Sequence, residues 1–192
     1  MILSETGTGP VPVPPLADFK LHLRLAHGFA DDGAEDALLL GYLSSAVAVV
    51  ERRIARALVI RGFEVAVARW DAGDCLALPI GPVETVTSAV LVGPGDPVSL
   101  NVSAWTVAPG ETRQRLSAAG AALPPIPAGH KVRIAFDAGF AVDWSGVPAA
   151  LSQAVMMLAA DFHARRGTER DGDTGLPLAV IELLAPWRPG RL

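Results

Sequence analysis

The spacing of the apolar residues changes twice along the chain, and this change constrains the fold more than any other feature. Between Glu35 and Arg56 the apolar residues recur every three or four positions, which is typical of an amphipathic helix. From about Leu58 to Asp137 they alternate with polar or small residues, which is typical of half-buried strands. Helical spacing returns after Pro148. The sequence therefore predicts helices, then strands, then helices.

The predicted fold is α+β and mainly helical, a small bundle of about four helices with a central antiparallel β-hairpin or sheet insertion and an extended N-terminal arm. We expect the helices at about residues 16–25, 36–56, 148–165 and 178–185, and the β region at about 58–137. Residues 1–15 hold four prolines and two glycines, so they are predicted to form the extended arm. Residues 16–192 are expected to form a single domain.

Five segments of the β region are expected to form strands, separated by connectors rich in proline and glycine. They are Phe63–Val67, Val83–Val92, Trp105–Val107, Thr112–Leu116 and Lys131–Asp137. The second of them is rich in β-branched residues, which pack well in strands. These segments favour a small antiparallel sheet or a pair of hairpins.

The charge and composition exclude several classes of protein. Acidic residues number 20 and basic residues 16, which gives a net charge of −4 and disfavours a protein that grips nucleic acid by neutralising phosphates. Hydrophobic residues make up 51% of the chain, enough for a sizeable core. The apolar stretches are far shorter than the ~20 residues that cross a bilayer, and no secretory signal is visible. We therefore expect a soluble, intracellular protein that does not bind membranes.

The sequence carries no motif for catalysis, cofactors or metal. Phosphate-binding loops, dinucleotide-binding glycine patterns and the nucleophile elbow are absent from it. No two of the four histidines have the helical spacing of a metal-binding pair. The single Cys75 has Asp71 and Asp74 as its nearest charged neighbours in sequence, which disfavours a reactive thiolate. We expect no catalytic, cofactor-binding or metal-binding residue.

A small enzyme or ligand-binding domain is an alternative, with a site near Asp137, Asp161 and His163. Such a site needs a concave pocket with convergent polar groups. Asp161 and His163 are two residues apart on a predicted helix, so their side chains point in different directions. The alternative therefore depends on residues from other parts of the chain.

Two sequence features suggest contact with other protein chains. Trp187 and Arg188 lie in a tail rich in proline and arginine, without periodic apolar partners, and tryptophan and arginine dominate interface energetics. A second cluster, Arg52, Arg53 and Arg56, falls in the last turn of the long predicted helix, where the helix dipole favours cations. Two interpretations of this cluster remain open, a solvated helix end and a contact between subunits.

Several motifs occur in a fixed order between about Leu16 and Arg188, and their order and spacing are more specific than any one of them alone. They are Leu16-x-x-x-Lys20-x-His22-Leu23-Arg24 with Asp31-Asp32, a long helix ending in Glu51 to Arg56, Leu78-Pro79 with Gly81-Pro82-Val83, Phe136-x-Ala138-Gly139-Phe140, Val147-Pro148 with Leu151 and Ala154, and Leu176-Pro177-Leu178 with Leu183-Leu184-Ala185-Pro186-Trp187-Arg188. Together they resemble the head–tail connector (adaptor) proteins of tailed phages. The segment His22–Asp32 is most similar to the adaptor of alphaproteobacterial gene transfer agents, which are phage-like particles.

The resemblance implies a structural protein rather than an enzyme. In that family a ring of subunits, usually twelve, docks beneath the portal of the head, continues the DNA channel and carries the next tail-proximal (stopper) protein. Double-stranded DNA is then expected to pass through the channel without specific binding. The expected location is the head–tail interface of a virion or gene transfer agent that assembles in the bacterial cytoplasm.

The resemblance also suggests roles for the two arginine-containing surfaces. Trp187, Arg188 and Arg191 are expected to contact the portal, and Arg52, Arg53 and Arg56 to lie between subunits. A lesser alternative within the same particle is a stopper or tail-terminator ring. The four predicted helices and the C-terminal Leu-Leu-x-Pro-Trp-Arg pattern favour the adaptor.

Overall fold

The computed structural model describes residues 1–7, 11–25, 35–71, 74–109, 113–120, 122–165 and 175–188. The chain divides into two compact units. The first contains the described residues of Met1–Gly9 and Ala55–Phe140, and the second contains those of Pro10–Ile54 and Ala141–Arg188.

Two antiparallel sheets form the first unit. Its strands are β1 (Ile2–Glu5), β2 (Arg61–Val67), β3 (Leu76–Ala77), β4 (Val83–Val92), β5 (Val98–Leu100), β6 (Trp105–Ala108), β7 (Arg115–Ala118) and β8 (Lys131–Ala138). A five-stranded sheet has the order β1-β2-β8-β4-β5, and a three-stranded sheet has the order β3-β7-β6. Every neighbouring pair in both sheets is antiparallel.

Alternating burial along β2 and β8 builds the core of this unit. Phe63 and Val65 of β2 are buried, and the register places them opposite Phe136 and Ile134 of β8. The rings of Phe63 and Phe136 stack with their centroids 5.9 Å apart. Because side chains alternate between the two faces of a strand, the apolar residues of both strands share one face. Leu76, Leu78 and Leu116 belong to the same hydrophobic core.

Gly139 shows why the Phe136-to-Phe140 motif needs a glycine. A Cβ at this position would overlap the backbone of Val59 and Ile60, so only glycine permits this approach. Directly afterwards, the backbone N–H of Phe140 donates to the carbonyl of Leu58 over 3.3 Å. The end of β8 is thereby fixed against the segment that leads into β2.

The prediction of a mainly helical fold is wrong. Strands and isolated bridges account for 30%, and α-helices and 3-10 turns for 34%, of the described residues, which form eight strands and four α-helices, so the fold is a β-rich α+β fold. The predicted insertion is two sheets. Three strands carried no usable sequence signal, because β3 and β5 have only two and three residues and all four residues of β1 are exposed. The strand expected at Thr112–Leu116 is observed at Arg115–Ala118, and Thr112 lies outside the described residues.

Strand β1 lies within the segment expected to be an extended arm. It pairs with β2 from Ile2 opposite Ala66 to Glu5 opposite Phe63. The Nη2 of Arg61 donates to the Glu5 carboxylate over 2.9 Å, and the guanidinium of Arg61 also lies 4.9 Å from the centroid of the Phe63 ring. This end of the chain is therefore an edge strand of the larger sheet.

Helices form the second unit. They are α1 (Leu16–His22), α2 (Asp36–Ile54), α3 (Ala149–Ala164) and α4 (Leu178–Leu184), with short 3-10 helices at Trp144–Gly146 and Ala185–Trp187. A proline directly precedes α1, α3 and α4, where its fixed φ angle suits a helix start. Leu39, Leu43 and Val50 of α2 are buried, as are Leu151 and Leu158 of α3. The helix positions follow the apolar spacing of the sequence.

The segment before α3 is fixed by two sets of hydrogen bonds. Asp143 accepts from the hydroxyl of Ser145 over 2.6 Å and from its backbone N–H over 2.9 Å, and these bonds hold the pKa of Asp143 below its ordinary value. The indole Nε1 of Trp144 donates to the hydroxyl of Ser152 over 3.1 Å. Trp144 thereby connects the 3-10 turn to the first turns of α3.

We predict that the core of the first unit responds to substitutions in proportion to the volume removed. Ile134 is fully buried in β8. Ile134→Val should lower the unfolding free energy of the protein by about 0.5–1.5 kcal/mol, and Ile134→Ala should lower it by about 2–5 kcal/mol. Urea unfolding of the purified variants measures both. As a control, Val98→Ala at a 55% exposed position should change the value by less than about 0.5 kcal/mol. Equal losses at the two positions would contradict the assigned core.

We also predict coupling between Trp144 and Ser152. Trp144→Phe and Ser152→Ala should each lower the unfolding free energy by about 0.5–1.5 kcal/mol, because each removes the indole–hydroxyl hydrogen bond. The double variant should lose less than the sum of the two single losses. A double-mutant cycle by urea unfolding measures this, and strictly additive losses would show that the two groups do not interact.

Candidate assembly surfaces

The C-terminal surface is positioned by α4 and the 3-10 helix that follows it. Val180 and Leu184 are buried and fix α4 within the second unit. Trp187 is half-buried at the end of the 3-10 helix, and Arg188 is exposed directly after it. The backbone N–H of Arg188 donates to the carbonyl of Ala185 over 3.4 Å. Trp187 and Arg188 thus lie together at the end of this unit, while Arg191 lies outside the described residues.

Trp70, Trp105 and Trp144 have contacts inside the units. The rings of Trp70 and Trp105 pack edge to face, with centroids 6.2 Å apart, and the indole nitrogen of Trp70 donates to the carbonyl of Pro124 over 2.7 Å. Trp144 is bonded to Ser152, as described above. These three tryptophans therefore serve the fold.

The three arginines of the predicted cluster belong to two different units of the structure. Arg52 and Arg53 are exposed in the last turn of α2. The helix ends at Ile54, and Ala55 adopts a left-handed conformation with φ of 53°. Arg56 therefore lies outside the helix and belongs to the first unit. This division could not be seen in the sequence, because the apolar spacing continues past the point where the helix ends.

Arg56 is held by the first unit. It is half-buried, and its guanidinium lies 5.9 Å from the centroid of the Phe140 ring. Its neighbour Ala57 donates a backbone hydrogen bond of 2.8 Å to the carbonyl of Gly81. Arg56 thus has contacts that stabilise its own unit, whereas Arg52 and Arg53 face solvent.

The three residues of the alternative enzyme site belong to two different units. Asp137 is half-buried in β8 of the first unit, whereas Asp161 and His163 belong to α3 of the second. The carboxylate of Asp161 accepts from Nε of Arg165 over 2.9 Å. The ring of His163 packs edge to face on Tyr42 with centroids 6.0 Å apart. Asp161 and His163 therefore take part in separate local contacts within the second unit.

The described residues also offer no metal site. No group of three or more His, Cys, Asp and Glu side chains among them could hold a metal ion. Buried Cys75 lies 3.9 Å from Nη1 of Arg115, a cationic neighbour that sequence reasoning missed because the two residues are 40 positions apart. Within the described part of the chain, no helix is both long and apolar enough to cross a membrane.

Exposed apolar side chains are the main surface feature that sequence reasoning missed. In the second unit Leu178 is 73% exposed, and Leu21, Leu25, Leu38 and Leu40 are exposed as well. In the first unit Ile2 of β1 is 68% exposed. The sequence did not single them out, because an apolar residue in a helix or strand is expected to face the core. Apolar residues that remain exposed can mark surfaces for other chains.

Comparison with known proteins identifies the family. No protein-family model and no curated protein matches the chain. Among solved structures, it is similar to a chain in the neck of an empty gene transfer agent particle computed with C6 symmetry. Identity is 44%, the match covers 100% of this chain and 97% of the other, and the TM-score is 0.88.

Two further structures give the same result. A chain of the virion of a native gene transfer agent particle is 44% identical, with a TM-score of 0.84. A chain of the neck of a native particle computed with C12 symmetry is 40% identical, with a TM-score of 0.79. Both matches cover 100% of this chain and 97% of the other. The chain therefore belongs to the family of gene transfer agent neck proteins, which are structural components of a phage-like particle and not enzymes.

Proposed function

We propose that the chain is the head–tail adaptor of a gene transfer agent or a related phage-like particle. Its subunits form a ring beneath the portal, continue the channel for double-stranded DNA and carry the next tail-proximal protein. The observation that carries this proposal is the full-length similarity, at 44% identity, to a chain of a gene transfer agent neck.

The proposed ring has twelve subunits. Similar chains belong to necks computed with C6 and with C12 symmetry, and a twelve-membered ring is compatible with both. A cyclic ring uses heterologous contacts, so each subunit must present two different surfaces to its neighbours. Exposed apolar side chains on several elements of the chain agree with this requirement.

The adaptor is favoured over a stopper by two features of the second unit. Its described residues form four α-helices, as the resemblance to connector proteins leads us to expect. It also ends in the Leu183-to-Arg188 motif, in which α4 positions a half-buried tryptophan beside an exposed arginine. Tryptophan and arginine are the residues most often found at the energetic centre of an interface. We assign this C-terminal surface, Trp187, Arg188 and Arg191, to the portal contact.

The charge of the chain suits a channel for DNA. A net charge of −4 provides no cationic excess. A strongly cationic lining would bind the phosphates at many points and slow their passage. A ring of such subunits is therefore expected to guide DNA without binding it specifically.

We predict that the C-terminal surface binds the portal. The purified chain mixed with the portal ring of the same particle should co-elute with it from a sizing column, as measured by light scattering. Trp187→Ala/Arg188→Ala should weaken this binding at least about tenfold, because it removes both proposed anchors. Arg188→Glu, at an exposed position, should do the same without disturbing the fold.

The matched control is Arg69→Ala, which removes an exposed arginine of the first unit. Portal binding by this variant should stay within about twofold of the unmodified chain. A wild-type chain that elutes as a monomer and ignores the portal would contradict the adaptor. So would a chain that binds only after another ring has covered the portal, since that is how a stopper behaves.

A further inference from the structure

The exposed face of α2 carries no charged residue over three turns. Its exposed residues between Leu38 and Ala48 are Leu38, Leu40, Gly41, Ser44, Ser45 and Ala48, which we call the α2 face. Leu38 and Leu40 are 46% and 39% exposed. A helix face that meets only water normally carries charged and polar side chains. The α2 face therefore has the composition of a surface that another chain covers.

Gly41 supports the same conclusion independently. It lies inside a helix of 19 residues, where glycine is less stable than alanine because of its backbone entropy. A Cβ at this position would meet no atom of the described residues within 4 Å, so packing among them does not require a glycine. A residue that destabilises its own helix without serving the fold is explained by the close approach of a partner.

The charges around the α2 face indicate what covers it. Arg52 and Arg53 are exposed one turn beyond Ala48. On α4, Leu178 is 73% exposed and Glu182 is exposed one turn after it. The separation from Leu178 to Glu182 equals the separation from Ala48 to Arg52, about 6 Å along each helix. A leucine that packs on Ala48, at the C-terminal end of the α2 face, would thus bring the carboxylate to the arginines.

We propose that the α2 face is the contact between neighbouring subunits and that a second copy of this chain covers it with α4. This inference rests on the proposed ring. Both helices pack against α3 within the same unit, yet they present different surfaces, as a head-to-tail contact requires. Leu178 of one subunit packs at Ala48, and Glu182 pairs with Arg52 and Arg53 of its neighbour. Residues 175–177, which lead into α4, then lie over Gly41, about 10 Å before Ala48 along the helix.

The first test separates assembly from stability. Gly41→Ala should raise the melting temperature of the unassembled chain by about 2–4 °C, because alanine favours the helix. Gly41→Gln should leave the melting temperature unchanged or raised, yet raise the protein concentration for half-maximal ring formation on the portal at least about tenfold. The control is Ala164→Gln, which adds the same side chain to an exposed position of α3. A Gly41→Gln chain that assembles like the control would overturn the inference.

The second test identifies the partner. Arg52→Glu/Arg53→Glu and Glu182→Arg should each raise the concentration for ring formation at least about tenfold, and the combined variant should return to within about threefold of the unmodified chain. Light scattering gives the mass of the complex with the portal, and hence the number of bound subunits. Single losses without rescue would overturn the α4 contact.

Other outcomes separate this inference from the adaptor itself. Normal rings of the Gly41→Gln chain that fail to bind the next tail-proximal protein would assign the α2 face to that protein instead. If the unmodified chain forms rings and every variant does too, only the subunit contact is overturned. If the unmodified chain forms no ring on the portal, the adaptor is overturned together with it.

Discussion

The pairing of β8 with β2 on one side and with β4 on the other is the interaction on which the first unit depends. The register sets Phe63 against Phe136 and Val65 against Ile134, so one face of the sheet is continuously apolar. A slip by one residue would turn these side chains to solvent, which strongly fixes the register. Gly139 then lets the end of β8 lie against Val59 and Ile60. The segment of the first unit that leads into β2 is fixed by this contact and by the backbone bond from Ala57 to Gly81.

The sequence predicts the helices of this protein well and its sheets only in part. Apolar residues three and four positions apart, together with Pro15, Pro148 and Pro177, mark where helices lie. The long strands β4 and β8 carry β-branched or alternating residues and could be recognised. Strand β1 could not, because its pairing with β2 uses backbone groups while every side chain is exposed. Packing between distant segments decides which strands pair, and a local sequence pattern does not contain it. The sequence therefore could not show that the β region forms two sheets instead of one insertion.

The assembly surfaces show the same limit. Trp187 and Arg188 could be recognised in the sequence because the tail around them has no periodic apolar residues with which a tryptophan would pack. Leu178 and Gly41, in contrast, look like ordinary helix residues in the sequence. Only the structure shows that Leu178 is exposed and that a Cβ at position 41 would meet no atom of the described residues within 4 Å. A protein built for a ring keeps such residues although they do not stabilise the single subunit. The uncharged α2 face and the exposed residues of α4 are explained together by the proposed head-to-tail contact.

The most direct test of the adaptor is the mass of its complex with the portal by native mass spectrometry. We predict one dominant complex in which the portal ring gains the mass of twelve 20.0 kDa chains. Complexes with fewer bound chains should be absent at saturation. Cooperative filling follows from contacts between neighbours, since each added subunit presents a surface for the next. A portal that gains no mass would contradict the proposed adaptor. Independent binding of single chains, spread over all numbers up to twelve, would contradict the proposed contact between subunits.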